Sequence, residues 1–140
     1  MNIEEFILYP KKNKKLVPKE EDEQKIVKKY LDFLLEQGKI ITYHSNPNEN
    51  ILSFLDRKKF MIAQNKLKAM GAKKGIPDLY IYLPNKILAI EMKRSNKNKS
   101  KISEEQKQWI LLLNQLSYID AYICYGADNA INLIEEYTKK

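Results

Sequence analysis

Apolar and polar residues recur along this chain in two periods, one near 3.6 residues and one of 2, which separates helices from strands. From residue 20 to 37 the apolar positions Ile26, Val27, Tyr30, Leu31, Leu34 and Leu35 follow helical spacing. Gly38 then ends the helix, since glycine readily takes the left-handed conformation found there. Ile40-Ile41-Thr42-Tyr43, rich in β-branched residues, predicts a short strand running into the turn-forming Ser45-Asn46-Pro47-Asn48. Residues 51–70 carry Ile51, Leu52, Leu55, Phe60, Ile62, Ala63, Leu67 and Met70 and predict one or two helices.

Gly71 and Gly75 bracket a basic loop that ends at Pro77. Residues 78–83 and 87–93 read as two strands joined at Pro84-Asn85-Lys86, a hairpin connection. A basic loop over 94–101 leads to a helix starting at Ser103, where Ser103 and Gln106 stand at capping-box spacing. That helix runs through Trp109, Ile110, Leu113 and Leu116. A strand over 121–125 and a helix from Ala127 to about Tyr137 complete the domain. The order is helix, strand, helix, hairpin, helix, strand, helix, which predicts an α/β fold with a mixed sheet flanked by helices. Residues 1–19, with Lys11-Lys12-Asn13-Lys14-Lys15 between Pro10 and Pro18, read as a basic N-terminal arm, and 20–140 as a single domain.

Charge adds a partner to this picture. Lys plus Arg number 25 against 18 Asp plus Glu, a net charge of +7 that fits a polyanion such as nucleic acid. The lone cysteine, Cys124, lies in the apolar run Ala121-Tyr122-Ile123-Cys124-Tyr125 and reads as a small buried hydrophobe rather than a catalytic thiol. One cysteine forms no internal disulfide, so a reducing compartment is expected. No apolar stretch approaches the roughly 20 residues of a membrane span. Met1-Asn2-Ile3-Glu4-Glu5 lacks the layout of a signal peptide. A cytoplasmic protein is expected, with no membrane partner.

The candidate chemistry sits on the hairpin. Side chains alternate along a strand, so Glu91 and Lys93 share one face while Leu88, Ile90 and Met92 take the other. The hairpin brings Asp78, at the start of its first strand, beside them. Two carboxylates and an ammonium then meet at one edge of an apolar sheet. Mg²⁺ prefers oxygen ligands, commonly one or two carboxylates completed by water and substrate phosphate. There it would polarise a phosphate and activate water, with Mn²⁺ as a substitute. Lys93 would position that water or stabilise transition-state charge. The bland alternative is a surface hairpin whose charges form a salt bridge.

Here the chain resembles a known family. Pro77-Asp78 followed by Glu91-Met92-Lys93 is similar to the P-D…E-x-K signature of restriction-endonuclease-like nucleases. More narrowly, residues 68–79 (Lys68, Met70-Gly71, Lys74-Gly75, Pro77-Asp78), then Ile90-Glu91-Met92-Lys93-Arg94, then Ser103 to Trp109 resemble the VRR-NUC group. The likeness extends over nearly the whole domain. It implies a restriction-endonuclease-like fold and metal-dependent hydrolysis of DNA phosphodiesters, with Asp78, Glu91, Lys93 and Gln106 catalytic. It also implies metal ligation by Asp78, Glu91 and the Met92 backbone carbonyl, aided by a glutamate on the first helix. Glu23 is the choice for that glutamate and Glu20 its rival; acidic residues in a first helical turn also suit the helix dipole. Small stand-alone members, often from phages, are similar to Holliday-junction resolvases and tend to form homodimers, and larger relatives are structure-selective DNA repair nucleases.

Gly75 is expected to permit a turn before Asp78 that a side chain would obstruct. His44-Ser45-Asn46-Pro47-Asn48-Glu49 resembles an H-x-P-N-E segment of phage-type members but carries an extra residue. That departure weakens a catalytic His44 and favours a turn-stabilising role for the asparagines. Lys73, Lys74, Arg94, Lys97, Lys99 and Lys101 flank the candidate site and would track DNA phosphates, whereas Arg57-Lys58-Lys59 reads as a solvated loop. No base-reading motif appears, so recognition of DNA shape or structure rather than a defined sequence is expected, and branched or Holliday-junction DNA is the substrate that the resemblance implies. The competing readings are a nuclease fold that binds nucleic acid without cutting it, and a nuclease directed at RNA.

Overall fold

The computed structural model describes residues 1–11, 19–46, 55–96 and 101–139, with only the backbone described for Glu20 and Glu21. A short 3-10 helix, Ile3–Phe6, leads into β1 (Ile7–Leu8). There follow α1 (Glu20–Glu36), β2 (Thr42–Ser45), α2 (Arg57–Ala69), β3 (Leu79–Leu83) and β4 (Lys86–Lys93). The chain ends with α3 (Glu104–Leu113), β5 (Ile119–Tyr125) and α4 (Ala127–Thr138). The strands form one mixed sheet in the order β1-β5-β4-β3-β2. β2, β3 and β4 run antiparallel, and β5 joins β4 in parallel through the α3 crossover.

Each face of the sheet has its own core. Val27, Leu31 and Leu34 of α1 and Ala130, Leu133 and Ile134 of α4 cover Ile81, Leu88, Ile90 and Met92. Ile110 and Leu113 of α3 cover Ala89, Ala121 and Ile123 on the other face. β4 therefore lies between two apolar layers, and only at its C-terminal end do Glu91 and Lys93 replace the aliphatic residues. The alternation read from 87–93 is thus the partition between the two cores.

α1 ends as expected: Gly38, at φ +70°, donates to the Leu35 carbonyl and Lys39 to that of Leu34, the paired bonds of a Schellman cap. The hairpin turns on Pro84 and Asn85 alone, because Leu83 pairs with Lys86. Three expectations shift. Ile40 is drawn into the core and the strand begins at Thr42 and runs on through His44 to Ser45, so Ser45 lies in β2 rather than in a turn. α2 forms, yet buries none of its residues; Met61, Ile62, Leu67 and Met70 are 52%, 58%, 46% and 80% exposed. Residues 51–54, the start of that predicted helical segment, lie outside the described residues.

The third shift is in the segment read as an arm. Ile7 and Leu8 pair in parallel with Ile123 and Cys124 and add an edge strand to β5, and Ile7 is buried. The apolar group Ile3, Phe6 and Ile7 packs into the α3-side core, where burial outweighs the cost of ordering a terminus. The lysine-rich stretch from Lys12 to Lys15 lies outside the described residues.

Candidate active site

The antiparallel register pairs Leu79 with Ile90, and one further step sets Asp78 across from Glu91. Facing residues of such a ladder point to the same side, with Cβ atoms about 4.5–5.5 Å apart. Asp78 (3% exposed), Glu91 (3%) and Lys93 (6%) are all buried. Buried charge demands compensation, and each of the three has it. Asp78 Oδ2 accepts the Met92 amide at 3.0 Å. Glu91 Oε2 accepts Gln106 Nε2 at 3.1 Å and lies 4.0 Å from Lys93 Nζ. Lys93 Nζ donates to the Lys101 carbonyl at 2.8 Å.

The next step of the register opposes Met92 to Pro77. Proline has no amide hydrogen, so the Met92 carbonyl can receive no ladder bond from it. The Met92 amide, which would otherwise reach the Pro77 carbonyl, goes to the Asp78 carboxylate. Asn46, just past β2, takes over the Pro77–Asp78 backbone: its side chain donates to the Pro77 carbonyl at 3.0 Å and its amide to the Asp78 carbonyl at 2.7 Å. The sequence reading treats Asn46 as a turn former and misses this clamp. The available signal is an amide side chain at the end of a strand whose partner opens on the candidate aspartate.

Two residues bring α3 to the hairpin. Gly75 has φ +85°, and a Cβ there would stand 2.7 Å from the Glu105 carbonyl carbon and 2.8 Å from the Gln106 nitrogen. The predicted need for glycine is met twice over, by conformation and by close approach. Trp109 Nε1 donates to the Lys74 carbonyl at 2.9 Å and ties the same loop to α3. Gln106 caps the helix and touches the candidate site at once. It completes the capping box with Ser103, at 3.0 and 3.1 Å, and its amide nitrogen reaches Glu91.

The other candidates fall in different places. Glu23 is buried at 4% and reached by the Ser95 amide and hydroxyl and by the Ala127 amide. The Glu20 side chain lies outside the described residues. His44 is exposed, stacked on Tyr80 at 5.4 Å and hydrogen-bonded to the Tyr82 hydroxyl at 2.9 Å. Asn48 and Glu49 lie outside the described residues, as do Lys97 and Lys99. Lys73, Lys74 and Lys101 are exposed on loops flanking the site, and Arg94 is half-buried directly after Lys93. A cleft of about 310 Å³ opens beside Asp78, floored by Val27, Leu79 and Met92 and rimmed by Lys28, Tyr43 and Ser45. Cys124 is fully buried and its thiol pKa is pushed up by burial, which keeps it protonated and unreactive.

No group of three or more His, Cys, Asp or Glu side chains is arranged as a metal site among the described residues. The donor set nevertheless fits one kind of ion. Two buried carboxylates stand at neighbouring positions of the hairpin, the Met92 backbone adds a carbonyl next in sequence to Glu91, and the formal charge of the carboxylates with Lys93 sums to −1 − 1 + 1 = −1. Hard divalent ions such as Mg²⁺ take one or two carboxylates and fill the remaining positions with water and phosphate. The set lacks the nitrogen and sulfur ligands of a zinc site.

Residues 18–128 match the family described as VRR-NUC domain. A solved structure described as "VRR_NUC domain protein" superposes with a TM-score of 0.62 at 25% identity, covering 84% of this chain and 86% of the other. Comparison with curated proteins finds no match. No helix among the described residues is long and apolar enough to cross a membrane.

Proposed function

The chain belongs to the VRR-NUC domain family, a nuclease-type domain, and on that premise we propose that it is a metal-dependent DNA endonuclease acting on branched or otherwise structured DNA. The observation that carries the proposal is the buried pair Asp78 and Glu91, opposed across the hairpin with Lys93 and Gln106 on the Glu91 side. Asp78, Glu91 and the Met92 carbonyl would hold Mg²⁺, or Mn²⁺ in its place. When bound, such an ion supplies Lewis-acid polarisation of the phosphate and a lowered pKa for the attacking water.

The protein's own groups set the geometry. The Met92 amide fixes one Asp78 oxygen and Gln106 fixes one Glu91 oxygen, so neither carboxylate must reorganise as substrate arrives. Lys93 spends one of its three donors on Lys101 and can direct the others at the water or a phosphoryl oxygen. Hydrolysis adds that water across one P–O bond and leaves a phosphate on one fragment and a hydroxyl on the other. Lys73, Lys74, Arg94 and Lys101 flank the site and supply charge for phosphates without reading bases. Lys28 and Tyr43 extend a polar rim along the cleft beside Asp78. The exposed apolar side chains Met61, Ile62, Leu67 and Met70 on and beside α2 offer apolar surface to a homodimer.

The test is a panel of junction, flap, single-stranded and duplex DNA with the matching RNAs, incubated with Mn²⁺ or with EDTA. Cleavage of branched DNA with Mn²⁺ and none with EDTA is expected. Binding without cleavage across the panel would establish a binding module instead, and cleavage confined to RNA would reassign the substrate.

A further inference from the structure

Among the described residues, Glu23 is the one buried carboxylate that the proposed chemistry leaves unused. It stands on the first turns of α1, yet its contacts lie 72 and 104 residues further on, at Ser95 and Ala127. Its Oε2 accepts the Ser95 amide at 3.0 Å, and its Oε1 accepts the Ser95 hydroxyl and the Ala127 amide, the latter at 3.3 Å. Ser95 is the second residue after Lys93. Ala127 opens α4, whose N-cap, Gly126, has no side chain to satisfy the first amides of the helix. A carboxylate from another helix supplies that cap, where the helix dipole favours negative charge.

The same knot reaches Lys93 a second way. The Gly126 amide donates to the Lys93 carbonyl at 2.7 Å. Gly126 has φ +91°, and a Cβ there would stand 2.5 Å from Ser95 Oγ and 3.3 Å from Glu23 Oε1. The space is closed to any side chain. Glu23 thus binds the residue after Gly126 and the residue two beyond Lys93, and the Lys93 backbone is held between these points.

We propose that Glu23 is a positioning residue rather than a metal ligand: it fastens the end of β4 to the start of α4 and so sets where the Lys93 ammonium stands relative to Glu91. The role presupposes the nuclease reading of Asp78, Glu91 and Lys93. Protonated or neutral replacements lose the ionic acceptor that serves three donors at once, a strong kind of hydrogen bond. Loss of such supporting groups usually lowers activity by about 10–100-fold.

The experiment compares wild type with Glu23→Gln, Ser95→Ala and Gly126→Ala in three readouts: amide hydrogen exchange without metal, Mn²⁺ affinity by calorimetry, and single-turnover cleavage of the preferred DNA. For Glu23→Gln we expect faster exchange at Ser95, Gly126 and Ala127, Mn²⁺ affinity within twofold of wild type, and a cleavage rate about 10–100-fold lower with DNA affinity unchanged. Ser95→Ala and Gly126→Ala should lower the rate in the same sense while also sparing Mn²⁺ affinity. A tenfold or greater loss of Mn²⁺ affinity in Glu23→Gln, with exchange at Ser95 and Ala127 unchanged, would overturn the proposal and make Glu23 a ligand. Wild-type cleavage unaffected by Glu23→Gln would overturn it as well. If wild type cuts nothing, the nuclease reading fails instead, and the exchange data still decide whether Glu23 holds Ser95 and Ala127.

Discussion

The described residues hold two buried acidic centres, and they are buried in different ways. Glu23 is surrounded by donors that belong to the fold: two backbone amides and a serine hydroxyl. Asp78 and Glu91 oppose each other across a ladder, two like charges that a fold gains little by juxtaposing. Burial alone therefore does not mark chemistry. The distinction lies in what compensates the charge: the first centre is held by backbone and serine donors alone, while the second sets two carboxylates at neighbouring positions of the hairpin, with Lys93 and Gln106 beside Glu91. The first centre serves the second, by holding the strand end from which Lys93 projects.

This contrast can be broken or sharpened by mutation. The largest effects should come from the opposed pair. Asp78→Ala and Glu91→Ala are expected to lower the metal-dependent cleavage rate by roughly 10³-fold or more, with DNA affinity within a few-fold of wild type in a mobility-shift titration. Unfolding temperatures of these variants should fall, since Asp78→Ala strips the Met92 amide of its acceptor and Glu91→Ala removes the carboxylate beside Gln106 and Lys93. Next comes Lys93→Ala, which should cost about 10²–10³-fold in rate; Lys93→Arg should recover only part of it, because a planar guanidinium does not reproduce a point ammonium.

Intermediate effects separate architecture from chemistry on α3. Gly75→Ala places a Cβ against the Glu105 and Gln106 backbone at a positive φ, and should cost about 1–3 kcal/mol in thermal or urea unfolding. Gln106 holds both a helix cap and Glu91, and a pair of substitutions divides the two tasks. Ser103→Ala removes the reciprocal cap alone and should cost about 1 kcal/mol of stability with little change in rate. Gln106→Ala should add a rate loss of about 10-fold at similar stability. Equal rates for the two variants would show that the Glu91 contact is incidental. The smallest effect belongs to α2. Ile62→Asp should change monomer stability by no more than about 0.5 kcal/mol, since the residue is exposed, yet weaken any dimer measured by sedimentation.

What could be read from the sequence follows from distance along the chain. Asp78, Glu91 and Lys93 were legible because a hairpin joins them and strand alternation fixes their face. Ser103 and Gln106 were legible because a capping box is a local pattern. The Glu23 knot was not, since its partners Ser95 and Ala127 are non-local and serine and alanine carry no pattern of their own. β1 was missed for a similar reason: two residues are too few to show a period, and their partners are in β5. α2 has helical spacing, but spacing alone cannot say whether a face finds a core to cover. Asn46 has the chemistry of a turn residue, and only the pairing of β2 with β3 converts it into a clamp on the Pro77–Asp78 backbone.

The most direct test of the central claim is the single-turnover cleavage rate of branched DNA in Mn²⁺, measured side by side for wild type and Asp78→Ala. Metal-dependent cleavage by wild type that vanishes in Asp78→Ala, with DNA still bound, is the result predicted. Metal-dependent cleavage that persists in Asp78→Ala would place the reactive centre elsewhere and contradict the account.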